Sequence, residues 1–163
     1  MVAQNVFFGI IALVMICSAL KVVTTKNVVH AALWLVVLLA GVAAQFLLLG
    51  AEFVGVTQIL VYIGAVVVLL LFGVMLTKAS LGDEADLNMP NKTIPAVIAT
   101  LMFGVMTYAL IDTFRDAELP RESVTNAAAV SDSIFADYIV PFEAVSVLLL
   151  AALIGAVVVA RKE

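Results

Sequence analysis

One stretch decides how this chain is interpreted: Gln58-Ile-Leu-Val-Tyr62-Ile-Gly64-Ala-Val-Val-Val-Leu-Leu-Leu-Phe72. It is an apolar run that also carries an amide, a phenol and a glycine, which membrane anchoring alone does not require. Gln58 and Tyr62 are four residues apart, so on a helix they share one face and can reach the same partner. Gly64 removes side-chain bulk and weakens the preference for regular helix. The pattern predicts a membrane span that can bend or change register.

The composition of the whole chain is that of an integral membrane protein. Its 163 residues are 65% hydrophobic and only 12% charged, which is typical of that class. Five apolar runs are long enough to cross about 30 Å of hydrocarbon as helices of roughly 20 residues. We therefore predict an all-α protein with one membrane domain over residues 1–163 and helices at about 5–23, 28–50, 53–77, 93–112 and 140–160.

The basic residues predict the orientation, because they concentrate on the cytoplasmic side of membrane proteins. Six of them fall in connections on one side: Lys21, Lys26, Lys78, Lys92, Arg161 and Lys162. Only Arg115 and Arg121 fall on the other side. This predicts an N-terminus outside, a cytoplasmic C-terminus and, most simply, a bacterial plasma membrane. The turn around Ala51 and Glu52 is so short that spans two and three should form an antiparallel hairpin.

The sequence contains no set of residues that suggests catalysis by the chain alone. It has one histidine and one cysteine, and no Gly-rich phosphate loop or Ser/His/Asp arrangement. A metal, haem or iron-sulfur site would need further ligands. No basic patch suggests nucleic acid. We expect no catalytic, cofactor-binding or metal-binding residues in this chain, and no nucleic-acid partner.

Polar residues within the spans are the candidate functional groups, since such residues are costly in lipid and usually face protein or water. Gln58 could form an interhelical hydrogen bond worth about 1 kcal/mol, or it could line a path for water or protons. Tyr62 lies deeper than an interfacial aromatic belt, so its hydroxyl should have a partner. Gly64 indicates either the close approach of a neighbouring helix or a π-bulge.

Three weaker candidates lie towards the predicted outer face. Glu143 stands near the start of span five, where it could complement the helix N-terminus. With Ser146, three residues on, it could instead make a hydrated contact with another subunit. Glu52, at the hairpin tip, is close enough in sequence to Gln58 to serve the same outer region. Part of the loop at 113–139 could form a short surface helix, and span two carries an approximate stripe of His30, Trp34, Gly41 and Gln45.

Three motifs carry a resemblance to a known family. The stretch from Gln58 resembles a third-helix signature V-Y-x-G-A-x-x-V-L-F. Asn27-Val-Val-His30-Ala-Ala-Leu33 resembles N-P-V-H-A-x-L, with Val28 in place of proline, and Phe142-Glu143-Ala-Val-Ser146-Val-Leu-Leu-Leu150 resembles F/V-E-x-x-S-x-L-L-L. Over nearly its whole length the chain resembles the subunit J family of bacterial NADH-quinone oxidoreductase, respiratory complex I. Some members carry glutamate where Gln58 stands, and a glutamine there could still order water.

The resemblance implies a role in coupling quinone reduction to proton translocation. In this family the third helix contains a π-bulge, here near Tyr62 to Val68, that can convert to regular α-helix. Apolar side chains such as Val66 or Val68 would then interrupt a water chain in one state only. The implied partners are subunits A, H, K and N and the lipid bilayer, with flavin, iron-sulfur clusters and quinone in other subunits. A purely structural or assembly subunit without a gating role is the alternative.

Overall fold

The computed structural model describes residues 2–76, 93–115 and 126–161. In this part of the chain six helices follow one another: α1 Val2–Thr24, α2 Val28–Leu48, α3 Glu52–Leu76, α4 Thr93–Phe114, α5 Ala127–Ala136 and α6 Ile139–Ala160. All except α5 are long and apolar enough to cross a membrane. The predicted all-α fold with five spans is thereby confirmed, and α5 is the short helix expected in the loop before span five.

The orientation of the termini stays a prediction. Four of the basic residues on which it depends, Lys78, Lys92, Arg121 and Lys162, lie outside the described residues. The connection between α3 and α4 and most of the connection between α4 and α5 also lie outside the described residues. Thr77, at which span three was predicted to end, is outside them as well.

Both ends of helix α2 are determined by residues close to them in sequence. The Asn27 side chain accepts hydrogen bonds from the backbone N–H groups of Val29 and His30, at 2.9 and 3.3 Å, which is how an N-cap residue satisfies the free donors of a first helical turn. At its other end α2 stops at Leu48, two residues before the predicted limit. Gly50 has a φ of 76°, a left-handed conformation that glycine adopts without steric cost.

The turn after α2 has the hydrogen bonds of a Schellman motif. The Ala51 N–H donates to the Phe46 carbonyl at 2.9 Å, and the Gly50 N–H donates to the Leu47 carbonyl at 3.1 Å. These bonds satisfy carbonyls that the helix end would otherwise leave unpaired. The chain then reverses directly into α3, so the predicted hairpin of spans two and three is confirmed. We call the end of the molecule at this turn the hairpin end.

A bundle of α1, α2 and α3 forms the packed part of the chain, with α2 in contact with both neighbours. Small residues make these contacts close. A β-carbon added at Gly41 of α2 would overlap the Met15 side chain of α1, and one added at Gly55 of α3 would lie 2.9 Å from Leu47 Cδ2 of α2. Such small residues let helix backbones approach where hydrophobicity provides no driving force between helices.

The remaining helices have fewer partners within the described residues. The short helix α5 contacts α6 and the first part of α3, Glu52–Thr57. The rings of Phe135 and Phe142 meet edge to face, with centroids 5.2 Å apart. Among the described helices, α4 contacts none and α6 contacts only α5. The three-helix bundle and the α5–α6 pair therefore meet at the start of α3, near the hairpin end.

Candidate functional site

The middle of α3 is a π-helix from Gln58 to Val67, with regular α-helix on either side at Glu52–Thr57 and Val68–Leu76. Its ten residues exceed the single-turn bulge in which π geometry usually occurs, often at functional sites. The segment coincides with the stretch of amide, phenol and glycine in the sequence. The predicted π irregularity in helix three is confirmed, and it begins four residues before Tyr62.

The π geometry puts both ends of this segment on the buried side of α3. Gln58 is 8% exposed and Val67 is 1% exposed, and α2 is the neighbouring helix that the segment contacts. In a regular α-helix nine residues span about 900°, or two and a half turns, so residues nine apart point to opposite sides. Gln58 and Val67 can therefore both be buried against the bundle only because the helix is irregular between them.

The other predicted gating residues lie on the exposed side of the same segment. Tyr62 and Val66 are each 51% exposed and Val68 is 43% exposed. Gly64 is exposed as well, and a β-carbon there would meet only the Ile59 carbonyl oxygen of its own helix, at 3.5 Å. Within the described residues no neighbouring helix approaches Gly64. The close helix approaches occur instead at Gly41 and Gly55.

The two polar side chains of the segment have no partner in the described part of the chain. Neither the Gln58 amide nor the Tyr62 hydroxyl forms a hydrogen bond there. The interhelical bond considered for Gln58 is thus not made within these residues. The side chain as a whole is largely buried, but its amide atoms are not among the buried polar atoms that lack a partner, so they remain accessible to water or to a group from outside the chain.

The weaker candidates lie near the hairpin end, on the elements that α5 brings together. Glu52 is the exposed first residue of α3, and Glu143 and Ser146 are exposed on α6. The Ser146 hydroxyl donates to the Phe142 carbonyl at 2.9 Å. The bounds of α6 do not favour the capping role, one of the two alternatives considered for Glu143. Helix α6 begins at Ile139 and has no acidic residue in its first turn, and the effect of the helix dipole falls off within that turn.

Two glutamines that the sequence analysis did not single out as sites hold α1 and α2 together at the hairpin end. Gln4 Nε2 donates to the Leu48 carbonyl at 3.1 Å, and Gln45 Nε2 donates to the Phe8 carbonyl at 3.3 Å. Gln4 precedes the predicted start of span one, and Gln45 was noted only as part of a stripe. Their acceptors are backbone carbonyls of another helix, which a sequence pattern cannot identify.

Comparisons with known proteins agree with the motifs. The family model for NADH-ubiquinone/plastoquinone oxidoreductase chain 6 matches residues 18–159. F(420)H(2) dehydrogenase subunit J of Methanosarcina mazei is 39% identical, over 98% of this chain and 92% of that protein. NADH-quinone oxidoreductase subunit J of Escherichia coli is 35% identical, over 96% of this chain and 86% of its own. NAD(P)H-quinone oxidoreductase chain 6 of a Nostoc species is 34% identical, with coverages of 98% and 80%.

Proposed function

The chain belongs to the NADH-ubiquinone/plastoquinone oxidoreductase chain 6 family, and from this premise we propose that it couples quinone reduction to proton translocation through a conformational switch in α3. It is a multi-pass plasma-membrane protein of the subunit J type. Its partners are other subunits of complex I. We place it next to subunits A, H, K and N, in contact with lipid.

The observation that supports this proposal is the π segment Gln58–Val67. A switch requires an element with two arrangements that make different contacts. Here the π form buries Val67 against the bundle and leaves Val66 and Val68 exposed on either side of it in sequence. Conversion to regular α-helix with Gln58 held in place would turn Val67 to the opposite side. A side chain that is exposed in the π form would then lie against the bundle in place of Val67.

Such a rotation can open and close a path for water. Large apolar side chains interrupt a chain of water molecules, because they offer no hydrogen bonds. We propose that Val66 and Val68 do this in one state of α3. Gln58 and Tyr62 have unpartnered polar groups on the same helix, and these hold water when the path is open. We propose that the entrance to this path is lined by polar side chains on the elements that α5 connects near the hairpin end. These side chains are Glu52, Glu143 and Ser146.

We assign the redox chemistry to other subunits, so that this chain acts without catalysing a reaction itself. Flavin, iron-sulfur clusters and quinone would all be bound there. Within residues 2–76, 93–115 and 126–161 no three His, Cys, Asp or Glu side chains are grouped so as to hold a metal ion, and the sequence has a single cysteine. The names of the relatives include NADH, NAD(P)H and F(420)H(2) enzymes, which favours an electron donor site outside this subunit.

Gly64→Val tests the switch with a change of bulk and no change of charge. A β-carbon at Gly64 makes only an ordinary contact in the π form, so packing within the chain should tolerate it. A β-branched residue restricts the backbone and crowds the preceding turn, which should hinder conversion. The matched control is Gly73→Val, the same change in the regular part of α3, where a β-carbon meets no atom of the described residues within 4 Å.

The measurement is made on the purified complex, with its subunit content verified for each variant. We expect Gly64→Val to leave the complex intact and to lower quinone reductase turnover or proton translocation several-fold, with Gly73→Val close to wild type. Normal turnover and pumping in an intact Gly64→Val complex would contradict a role for this segment. Loss of the complex in proportion to loss of activity would favour the structural alternative, a subunit needed only for assembly.

A further inference from the structure

Aromatic side chains gather where α5 meets α6. Phe135 lies near the end of α5, Tyr138 in the two-residue connection and Phe142 in the first turn of α6. The rings of Phe135 and Phe142 pack edge to face, yet their side chains are 59% and 45% exposed, and Tyr138 is 59% exposed. We call these three residues the aromatic corner. Exposed apolar surface that is contiguous indicates a contact with something outside the chain.

Backbone hydrogen bonds hold the aromatic corner together. The N–H groups of Asp137 and Tyr138 both donate to the Ser133 carbonyl, at 3.0 and 3.2 Å. The Phe142 N–H donates to the Tyr138 carbonyl at 3.0 Å. The end of α5 and the first turn of α6 are therefore joined without a free linker, and the three rings form one surface.

The position of the aromatic corner along the spans places it at the edge of the hydrocarbon. It includes the start of α6, and within the described residues α5 contacts α3 only at Glu52–Thr57, the start of that span. Helix α3 has 25 residues, so at about 1.5 Å per residue it is about 37 Å long, whereas the hydrocarbon is roughly 30 Å thick. The ends of the span, and the α5–α6 junction with them, thus reach the headgroup region.

The composition of α5 and of the aromatic corner distinguishes between a lipid and a protein neighbour. The sequence of α5, AAAVSDSIFA, consists mainly of Ala, Ser and Asp, which are depleted at interfaces between proteins. Polar residues then give way to aromatic ones towards α6. The Tyr138 hydroxyl makes no hydrogen bond to another described residue. A phenol, with an apolar ring and a polar end, is enriched where hydrocarbon meets water.

The charges near the aromatic corner indicate which part of a lipid it contacts. Residues 126–143 contain no Lys or Arg and include three carboxylates, Asp132, Asp137 and Glu143. Attraction to anionic headgroups requires clustered basic residues. Any contact with lipid must therefore come from the rings and the phenol rather than from headgroup charge.

We propose that the aromatic corner is a lipid-binding anchor that fixes the depth of α6 in the bilayer. Its rings insert between the headgroups and lie against the upper acyl chains. The Tyr138 hydroxyl donates to an ester or phosphate oxygen, which every phospholipid has. Among the described helices α6 contacts only α5, so no other described contact sets its depth. The proposal goes beyond the switch in α3 and holds whether or not α3 changes register.

Spin labelling in the complete complex measures what covers the aromatic corner. p-Acetylphenylalanine replaces Tyr138 and is labelled with a hydroxylamine nitroxide. The control site is Ser131, which is exposed on the polar part of α5. The complex is reconstituted in nanodiscs of palmitoyl-oleoyl phosphatidylcholine. Relaxation of the nitroxide by oxygen, which concentrates in hydrocarbon, is compared with its relaxation by Ni-EDDA, which stays in water.

We expect the ratio of oxygen to Ni-EDDA relaxation to be several-fold higher at the Tyr138 site than at the Ser131 site. Adding phosphatidylglycerol to the nanodiscs should leave this ratio unchanged. Equal ratios at the two sites would place the aromatic corner in water, and weak relaxation by both reagents at the Tyr138 site would mean that another subunit covers it. Either result would overturn the proposal, as would a ratio that rises only with phosphatidylglycerol.

Two unlabelled variants test whether the contact anchors the helices. Tyr138→Ser removes the ring, whereas Tyr138→Trp keeps an interfacial aromatic group and is the matched control. Hydrogen exchange of the amides in α5 and in the first turn of α6 should become several-fold faster in Tyr138→Ser and stay close to wild type in Tyr138→Trp. Unchanged exchange in Tyr138→Ser, or equal acceleration in both variants, would contradict an anchor. The Gly64→Val experiment is independent of these outcomes, so failure of the anchor and failure of the switch can be told apart.

Discussion

Helices α2 and α4 are alike in length and composition but differ in their surroundings. They have 21 and 22 residues and both qualify as membrane spans. Yet α2 contacts α1 and all three segments of α3, whereas α4 contacts none of the described helices. Each has a glycine near its middle. Gly41 of α2 lies against Met15, whereas a β-carbon at Gly104 of α4 would meet no described residue within 4 Å.

This difference shows that apolar character places a helix in the membrane without choosing its neighbours. Lipid chains are as apolar as leucine, so helix association depends on close packing and on polar contacts. Helix α2 has both, in Gly41, Ala43 and the Gln45 bond to α1. Helix α4 also has small residues, but no described part of the chain packs against them. Matched substitutions can test whether these contacts carry the energetic difference.

The largest effect should come from Gly41→Val. Its added side chain overlaps Met15, and overpacking of this kind costs about 2 kcal/mol. Gly104→Val, the same change in α4, should cost much less within this chain. The measurement is the temperature at which the subunit is lost from the detergent-solubilised complex. An equal loss from both variants would mean that α4 is as tightly packed in the assembly as α2.

A smaller effect is expected from Val67→Ala, which leaves a cavity against α2. Val67 is 1% exposed, and we expect a loss of about 1 kcal/mol from the missing contacts. The neighbouring Val66 is 51% exposed, so Val66→Ala should hardly change stability but should alter proton translocation if Val66 interrupts the water path. Thermal dissociation and pumping assays on both variants separate packing from gating. If both variants lost stability equally, the two sides of α3 would not differ as described.

The smallest effect should follow Phe135→Leu, which keeps an apolar side chain but removes the edge-to-face contact with Phe142. Aromatic pairs contribute about 0.5–1.5 kcal/mol beyond their buried area, so we expect a loss of roughly 0.5 kcal/mol in the attachment of α5 to α6. Phe103→Leu, in α4, is the control, since Phe103 is 73% exposed. Hydrogen exchange of the α5 amides reports the attachment, and unchanged exchange in Phe135→Leu would show that the ring pair does not hold α5.

The spans and several of their ends could be predicted because they depend on nearby residues. The lengths of the apolar runs located the five membrane helices, and the short turn around Ala51 and Glu52 indicated a hairpin of spans two and three. The stretch from Gln58 to Gly64 located the π segment, since it combines a polar group, a phenol and a glycine in one span. In each case the physical cause lies within a few residues of its effect.

The contacts between helices could not be predicted in the same way. Gly64 suggested a close approach that the described residues do not make, whereas Gly41 and Gly55 make close approaches of their own. Which glycine faces a neighbour depends on the rotation of each helix and on its partner, and apolar sequence in lipid contains little information on either. The roles proposed for Gln58, Tyr62 and Glu143 involve groups outside this chain, so they stay predictions.

The π segment of α3 also changes how many residues separate the two buried positions at its ends. Seven residues of regular α-helix make about two turns, so a spacing of seven would keep two side chains on one side without any irregularity. Gln58 and Val67 are nine apart and both are buried. The helix therefore contains two residues more than a regular α-helix would need to connect these positions. Deleting two residues between them would preserve the buried face while removing the surplus, leaving a straight helix with a single register.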